Sequence, residues 1–131
     1  MKPHFLVIDD NRDASSLISR ALLQRFPQAQ LMEFSSFAVV RDELLRLPME
    51  AAGWIVVAGR VADLETVPLV RAIRVCHRSV PVIAMGEPPD ESETLQAGAN
   101  RFLAYEAWLL LAPAVDRLLG GQLHADRASR A

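Results

Sequence analysis

The chain has 131 residues and a formal net charge of −2, with 51% hydrophobic and 23% charged residues. This length and composition predict one soluble domain with a hydrophobic core. The small net charge gives no reason to expect nucleic acid or an anionic membrane as a partner. The single cysteine excludes a disulfide within the chain, and the absence of a Cys-x-x-Cys pair argues against a structural zinc site.

The first residues do not have the pattern of a signal peptide or a membrane span. The opening sequence "MKPHFLVIDD" reaches two acidic residues after only four consecutive apolar ones. Such a run is far shorter than the apolar stretch that either kind of segment needs. We therefore expect a cytoplasmic protein.

Apolar runs and helically spaced segments alternate along the chain. Pro68 lies inside the third helical segment, so that helix either begins near this residue or is kinked there. The small, glycine-containing end of the chain, residues 120–131, is expected to be a flexible tail or linker. The predicted strands are 4–9, 29–35, 53–59, 80–86 and 100–105, and the predicted helices are 11–26, 36–47, 62–77, 88–99 and 106–119.

Five strand–helix repeats with short connections predict a doubly wound parallel sheet with helices on both faces. Ligands of such sheets bind outside the carboxyl ends of the strands. The polar and small residues that fall at those ends are therefore the candidate site. They are Asp9, Asp10, Ala58, Arg60, Gly86, Glu87 and Tyr105.

The stretch "FLVIDDN" places two aspartates, Asp9 and Asp10, directly after a buried strand. At about 5 Å and an effective dielectric of about 20, their repulsion is roughly 3 kcal/mol. A metal ion, a raised pKa of one acid or a cation from a loop would relieve it. Arg60 is the best placed cation, and Glu87 could pair with it instead. A purely structural role is the alternative, with Asp10 capping the first helix and Asp9 bonded to backbone amides.

The order and spacing of these segments resemble the receiver domains (CheY-like) of two-component response regulators. The resemblance covers residues 4–119 and implies a receiver-like domain over 1–119, with a flavodoxin-like three-layer sandwich and strand order 2-1-3-4-5. The segments that carry it are "LVIDDN", "LVRAIR", "VPVIAMG" and "AGANRFLAY".

The chain departs from this family at three strand ends. In the family the third strand ends in an aspartate that accepts a phosphoryl group, the fourth in Ser or Thr and the fifth in Lys. The segment from "GWIVV" to "RAIR" aligns without a gap, which places Ala58 at the acceptor position. Gly86 and Tyr105 take the other two positions, and only Asp9 and Asp10 match. The resemblance thus implies a degenerate phosphorylation site in a non-enzymatic pseudo-receiver.

The function predicted from this pattern is two-component signalling by protein–protein contact, without phosphorylation at the usual position and without a required cofactor. Two alternatives stay open. One is a phosphorelay receiver with Asp9 or Asp10 as a non-standard acceptor. The other is a small metal- or nucleotide-binding module, in which Asp9 and Asp10 could hold a weakly bound Mg²⁺. The stretch "DDNRDASS" has no glycine, which argues against a phosphate-binding loop.

Surplus leucines near the last helix predict a contact surface. Leu109 and Leu110 lie off the apolar stripe of that helix, and Phe102 occupies the position of the family's aromatic switch. In receivers the face formed by the fourth helix, fifth strand and fifth helix commonly mediates pairing. We expect a protein partner or a homodimer there, and an output domain beyond residue 131 is a further expectation. Pro113 indicates an alternative in which the helix begins only near residue 111 and both leucines lie in a loop.

Overall fold

Five strands alternate with five helices along the chain. The structure, a computed structural model, describes the backbone of residues 2–130 and the side chains of residues 2–120. Two 3₁₀ segments, Pro88–Asp90 and Tyr105–Leu110, precede the last two helices, and the second of them is called the 3₁₀ connector below. The strands and helices are β1 (His4–Ile8), α1 (Arg12–Arg25), β2 (Gln30–Phe34), α2 (Phe37–Arg46), β3 (Trp54–Ala58), α3 (Thr66–Cys76), β4 (Val82–Gly86), α4 (Glu91–Ala97), β5 (Arg101–Ala104) and α5 (Leu111–Arg130).

The strands form one parallel sheet in the order β2-β1-β3-β4-β5. The doubly wound flavodoxin-like sheet predicted from the sequence is therefore confirmed. In β1, Phe5 and Val7 face α1 and α5, whereas Leu6 and Ile8 face α2 and α3. Two apolar clusters, one on each face, follow from this alternation of side chains along a strand.

Local signals set most of the element ends. Asn11 caps α1, because its side chain accepts the N–H groups of Asp13 and Ala14. The expectation that Asp10 caps this helix is therefore wrong by one residue. Gly98, with φ of +123°, ends α4. Helix α3 begins at Thr66, so Pro68 lies in its first turn and causes no kink. The expectation that this helix begins near Pro68 is therefore confirmed, and the expectation of a kink is wrong.

The predicted start of the last helix is wrong by five residues. The sequence predicts a helix from residue 106, but α5 begins at Leu111 and the 3₁₀ connector occupies Tyr105–Leu110. Pro113 explains the difference, since a proline lacks the N–H group that a helix interior requires. In the observed helix Pro113 lies in the first turn, where that N–H has no partner to lose.

Helix α5 extends to Arg130, so the segment expected to be a tail, residues 120–131, falls partly within it. Residue 131 and the side chains beyond Gly120 lie outside the described residues. The expected flexibility of this segment stays a prediction. None of the described helices is both long enough and apolar enough to cross a bilayer.

Candidate functional site

A cavity of about 550 Å³ opens at the carboxyl ends of the strands, between α1, the start of α3 and the 3₁₀ connector. Six of the seven residues that the sequence places at these ends line it: Asp9, Asp10, Arg60, Gly86, Glu87 and Tyr105. The seventh, Ala58, is buried in the apolar cluster that packs against α2 and α3. The topology thus brings the two acids together with an arginine and a tyrosine.

Asp9 is the buried acid of the pair, with 5% of its surface exposed. Its Oδ1 accepts the N–H of Asn11 at 2.9 Å, and its Oδ2 accepts the O–H of Tyr105 at 2.8 Å. Burial raises the pKa of Asp9, while these two hydrogen bonds act to lower it. The neighbouring charges of Asp10 and Arg60 have smaller, opposite effects on the same pKa. Asp10 itself is exposed to solvent.

Tyr105 completes the hydrogen bonding of Asp9. Its hydroxyl donates to Asp9 and accepts the backbone N–H of Arg60 at 3.0 Å. Burial, together with the hydrogen bond and the charge of Asp9, raises the pKa of Tyr105, so the hydroxyl keeps its proton. At the position of the family lysine this chain therefore has a neutral hydrogen-bond donor. The sequence feature that could have predicted this contact is the tyrosine itself, because a buried tyrosine hydroxyl needs a polar partner.

Gly59, which sequence reasoning did not single out, makes room for this hydrogen bond. A Cβ atom at position 59 would overlap both the Asp9 Oδ2 and the Tyr105 hydroxyl. The backbone of Gly59 is fixed by its own N–H, which donates to the Ile8 carbonyl at 2.8 Å. Only a residue without a side chain lets the carboxylate and the hydroxyl meet here.

The Arg60 guanidinium does not form an ion pair with either aspartate among the residues that the structure describes. Arg60 contributes through its backbone: its N–H donates to Tyr105, and its carbonyl accepts the N–H of Asp10 at 3.0 Å. The Arg60 side chain is exposed, as is Glu87 on the same rim, and no ion pair joins the two. The expected cation, the Arg60 guanidinium, therefore does not pair with the two acids. Instead, the neutral hydroxyl of Tyr105 donates to Asp9, and the pKa of Asp9 is raised.

Thr66 brings a hydroxyl into the cavity from α3 instead of from β4. It is buried, and its Oγ1 donates to the Gly59 carbonyl at 3.4 Å. A Cβ on Gly86 would lie 3.7 Å from this oxygen and 3.3 Å from the Phe102 ring. Phe102 is half-buried and packs against the apolar core, so it is the least accessible of the three predicted contact residues.

The residues present do not fit the divalent metal that the resemblance implies. Both oxygens of Asp9 already accept hydrogen bonds, and Ala58 offers no ligand where the family has a third carboxylate. Within the described residues no group of three or more His, Cys, Asp or Glu side chains could hold a metal ion. The cavity is nevertheless strongly acidic, with seven carboxylates against one guanidinium in its lining. The carboxylates are those of Asp9, Asp10, Asp13, Glu65, Glu87, Asp90 and Glu106.

No family model and no curated protein matches this chain, but solved structures do. The signal receiver domain from Vibrio parahaemolyticus aligns with a TM-score of 0.75 at 14% identity, over 98% of each chain. The signal receiver domain of a DNA-binding response regulator from Colwellia psychrerythraea 34H aligns with a TM-score of 0.75 at 17% identity, over 91% of this chain and 99% of its own. The chain has the fold of a receiver domain.

A receiver from a different kind of protein has the same fold. The signal receiver domain of a signal transduction histidine kinase from Syntrophus aciditrophicus aligns with a TM-score of 0.70 at 21% identity, over 91% of each chain. Identities this low establish the fold. What this chain does must be argued from its own residues.

Replacing Gly59 with alanine tests the space that the Asp9–Tyr105 hydrogen bond needs. We expect Gly59→Ala to lower the free energy of unfolding by about 1–3 kcal/mol, because the new methyl group displaces the tyrosine hydroxyl. Tyr105→Phe removes the same hydroxyl without adding bulk and should cost about 1–3 kcal/mol. Urea denaturation of both variants and of the double variant measures their coupling. We expect the double variant to lose clearly less than the sum, and simple additivity would refute the arrangement.

The pKa of Asp9 gives a pH dependence with a definite sign. Because burial raises this pKa above its ordinary value of 3.8, the folded state keeps a proton that the unfolded state has released. The contribution of Asp9 to stability is therefore complete below pH 3.8 and is lost as the pH rises through the raised pKa. Measured by urea denaturation from about pH 4 to about pH 7, the stability of the native chain should fall relative to Asp9→Asn. A relative rise over that range would contradict the burial of an acid.

Magnesium titration tests the metal fit. We expect isothermal titration calorimetry with millimolar Mg²⁺ to show no saturable heat, because both Asp9 oxygens are already bonded. Asp10→Asn serves as the control. Saturable binding that this substitution abolishes would show that the exposed acid holds an ion after all.

Proposed function

We propose that this chain is a receiver-like module of two-component signalling that transmits its signal by protein–protein contact and takes no phosphoryl group at the end of β3. One observation carries the proposal. The β3 end bears Ala58, which is buried in an apolar cluster, and the adjacent acid Asp9 has both oxygens engaged in hydrogen bonds.

Phosphoryl transfer to a protein carboxylate needs a nucleophile, a divalent metal and a cation for the developing charge. Alanine supplies no nucleophile, and Tyr105 is held in its neutral form. The hydroxyl of Thr66, which also lines the cavity, donates its proton to the Gly59 carbonyl. The nucleophile and the cation of this reaction are therefore replaced by an alanine methyl group and a neutral hydroxyl.

Asp63, the nearest acid downstream of Ala58, is engaged elsewhere. Its two carboxylate oxygens accept the N–H groups of Phe37 at 3.1 Å and Ala38 at 3.3 Å, at the start of α2. These hydrogen bonds lower the pKa of Asp63. It does not line the acidic cavity, so it is a helix cap in this proposal and has no role as a substitute acceptor.

Exposed leucines on the 3₁₀ connector support action by protein contact. Leu109 and Leu110 have 70% and 57% of their surface exposed, which is uncommon for neighbouring leucines unless a partner covers them. The predicted contact at the α4–β5–α5 face is part of this proposal, with Leu110 as its probe. A cytoplasmic location and an output domain that receives the signal are further parts of this proposal.

Incubation with acetyl phosphate and Mg²⁺, followed by intact mass measurement, tests the proposal. We expect no covalent phosphoryl adduct under conditions that label a receiver with the acceptor aspartate, run in parallel as the positive control. A stable adduct would overturn the proposal. Its loss in Asp9→Asn or Asp10→Asn would then identify the non-standard acceptor.

A further inference from the structure

A second depression runs along α1 beside the acidic cavity. It has a volume of about 450 Å³ and lies between α1 and the junction of the 3₁₀ connector with α5. We call it the α1 groove. Leu17 and Trp108 line both the groove and the acidic cavity, so the two depressions adjoin each other. The groove is lined by Leu17, Arg20, Ala21, Gln24, Arg25, Trp108, Leu109 and Ala112.

The charges along this surface change sign from one end of α1 to the other. Asp13, in the first turn of α1, lies at the edge of the acidic cavity, whereas Arg20 and Arg25 line the far part of the groove. At about 1.5 Å per residue, Asp13 and Arg20 are roughly 10 Å apart along the helix. Arg25 is already paired with Asp116 at 2.9 Å, but Arg20 forms no ion pair in the part of the chain that the structure describes.

The middle of the surface is apolar and contains both a projection and a depression. Leu109 is 70% exposed, Leu17 is 41% exposed, and Trp108 in the same lining is half-buried. Leaving two leucines in water in the same groove forfeits the free energy of burying them. A partner that fits here must cover an apolar strip about two helical turns long, with a basic group at one end and an acidic group at the other.

A second copy of this chain meets that requirement. We propose that the α1 groove is a homodimer surface in which two copies pack with their α1 helices antiparallel across a two-fold axis. In such a dimer each surface must be complementary to itself. The acidic end at Asp13 of each copy then faces Arg20 of the other, and Leu109 of each copy fills the groove of the other. Both the charges and the shape needed for this arrangement are present on one surface.

A dimer through this surface does not depend on whether the chain accepts a phosphoryl group, so the two proposals can fail separately. It also differs from pairing through the α4–β5–α5 face. Leu109 lines the α1 groove, whereas Leu110, its immediate neighbour, does not. The two leucines therefore form a matched pair of probes.

The first test compares Leu109→Glu with Leu110→Glu by sedimentation velocity over a concentration series, with circular dichroism as the check on folding. We expect the native chain and Leu110→Glu to dimerise alike, and Leu109→Glu to dimerise at least about tenfold more weakly, because it buries a charge in the groove. A native chain that stays monomeric at high micromolar concentration would overturn the proposal and favour a different protein as the occupant. A dimer lost in Leu110→Glu and kept in Leu109→Glu would overturn it in favour of the other face.

A charge exchange tests the antiparallel arrangement without changing the apolar groove. Arg20→Glu and Asp13→Arg should each be monomeric alone, because each places like charges at both junctions of its own dimer. Mixed in equal amounts, the two variants should form a heterodimer, since both junctions then carry opposite charges. A mixture that remains monomeric while the native chain dimerises would refute the two-fold pairing of Asp13 with Arg20.

Discussion

The hydrogen bond from the Tyr105 hydroxyl to the Asp9 carboxylate is the contact on which the cavity depends. An acid held at the end of a buried strand needs donors for its oxygens, since an unpaired buried charge is strongly destabilising. The first donor is the Asn11 N–H at the start of α1, and the second comes from the far edge of the sheet. The second donor, the Tyr105 hydroxyl, can reach Asp9 only because Gly59 lacks a side chain. This hydroxyl in turn accepts the backbone N–H of Arg60.

This arrangement gives Asp9 a structural role at the end of β1. With alanine at the end of β3 and a neutral tyrosine after β5, Asp9 and Tyr105 together link the segments that follow β1, β3 and β5. Burial and hydrogen bonding act in opposite directions on its pKa, and burial is the larger effect. The sequence suggested a structural alternative in which Asp9 is bonded to backbone amides, and Asp9 does accept the backbone N–H of Asn11. Asp10, by contrast, is exposed to solvent, and its backbone N–H is what binds it to the Arg60 carbonyl.

The fold was predictable because each strand and helix carries its own local signal. β1 and β3 are apolar runs that are buried after their first residues, Asn11 provides a helix cap, and Gly98 ends α4 in a conformation that favours glycine. The start of α5 was missed because the apolar stripe continues through the 3₁₀ connector. The position of Pro113 nevertheless indicates the later start. A proline three residues into a helix fits, whereas the same proline eight residues into one does not.

The site was predictable as a set of positions but not as a set of contacts. Strand ends in a parallel sheet converge, which is why Asp9, Arg60 and Tyr105 were named from the sequence. Which of them would touch depends on backbone directions beyond the strands, and these favoured the tyrosine hydroxyl over the guanidinium. Gly59 and Thr66 were missed because their roles, an empty space and a hydroxyl arriving from α3, have no sequence pattern of their own. The periodicity of apolar residues could not predict which of Leu109 and Leu110 lines the groove, because the connector is not an α-helix.

The role of the Tyr105–Asp9 hydrogen bond is tested most directly by a ¹³C NMR titration of the Asp9 carboxyl group in the native chain and in Tyr105→Phe, each with and without Mg²⁺. We expect a pKa of Asp9 above its ordinary value in the native chain and higher still in Tyr105→Phe, because the tyrosine hydrogen bond lowers it. Magnesium should leave both titration curves unchanged. An Asp9 pKa that does not respond to the loss of the hydroxyl, or that falls when magnesium is added, would contradict a site in which Tyr105 satisfies the Asp9 carboxyl group without a metal ion.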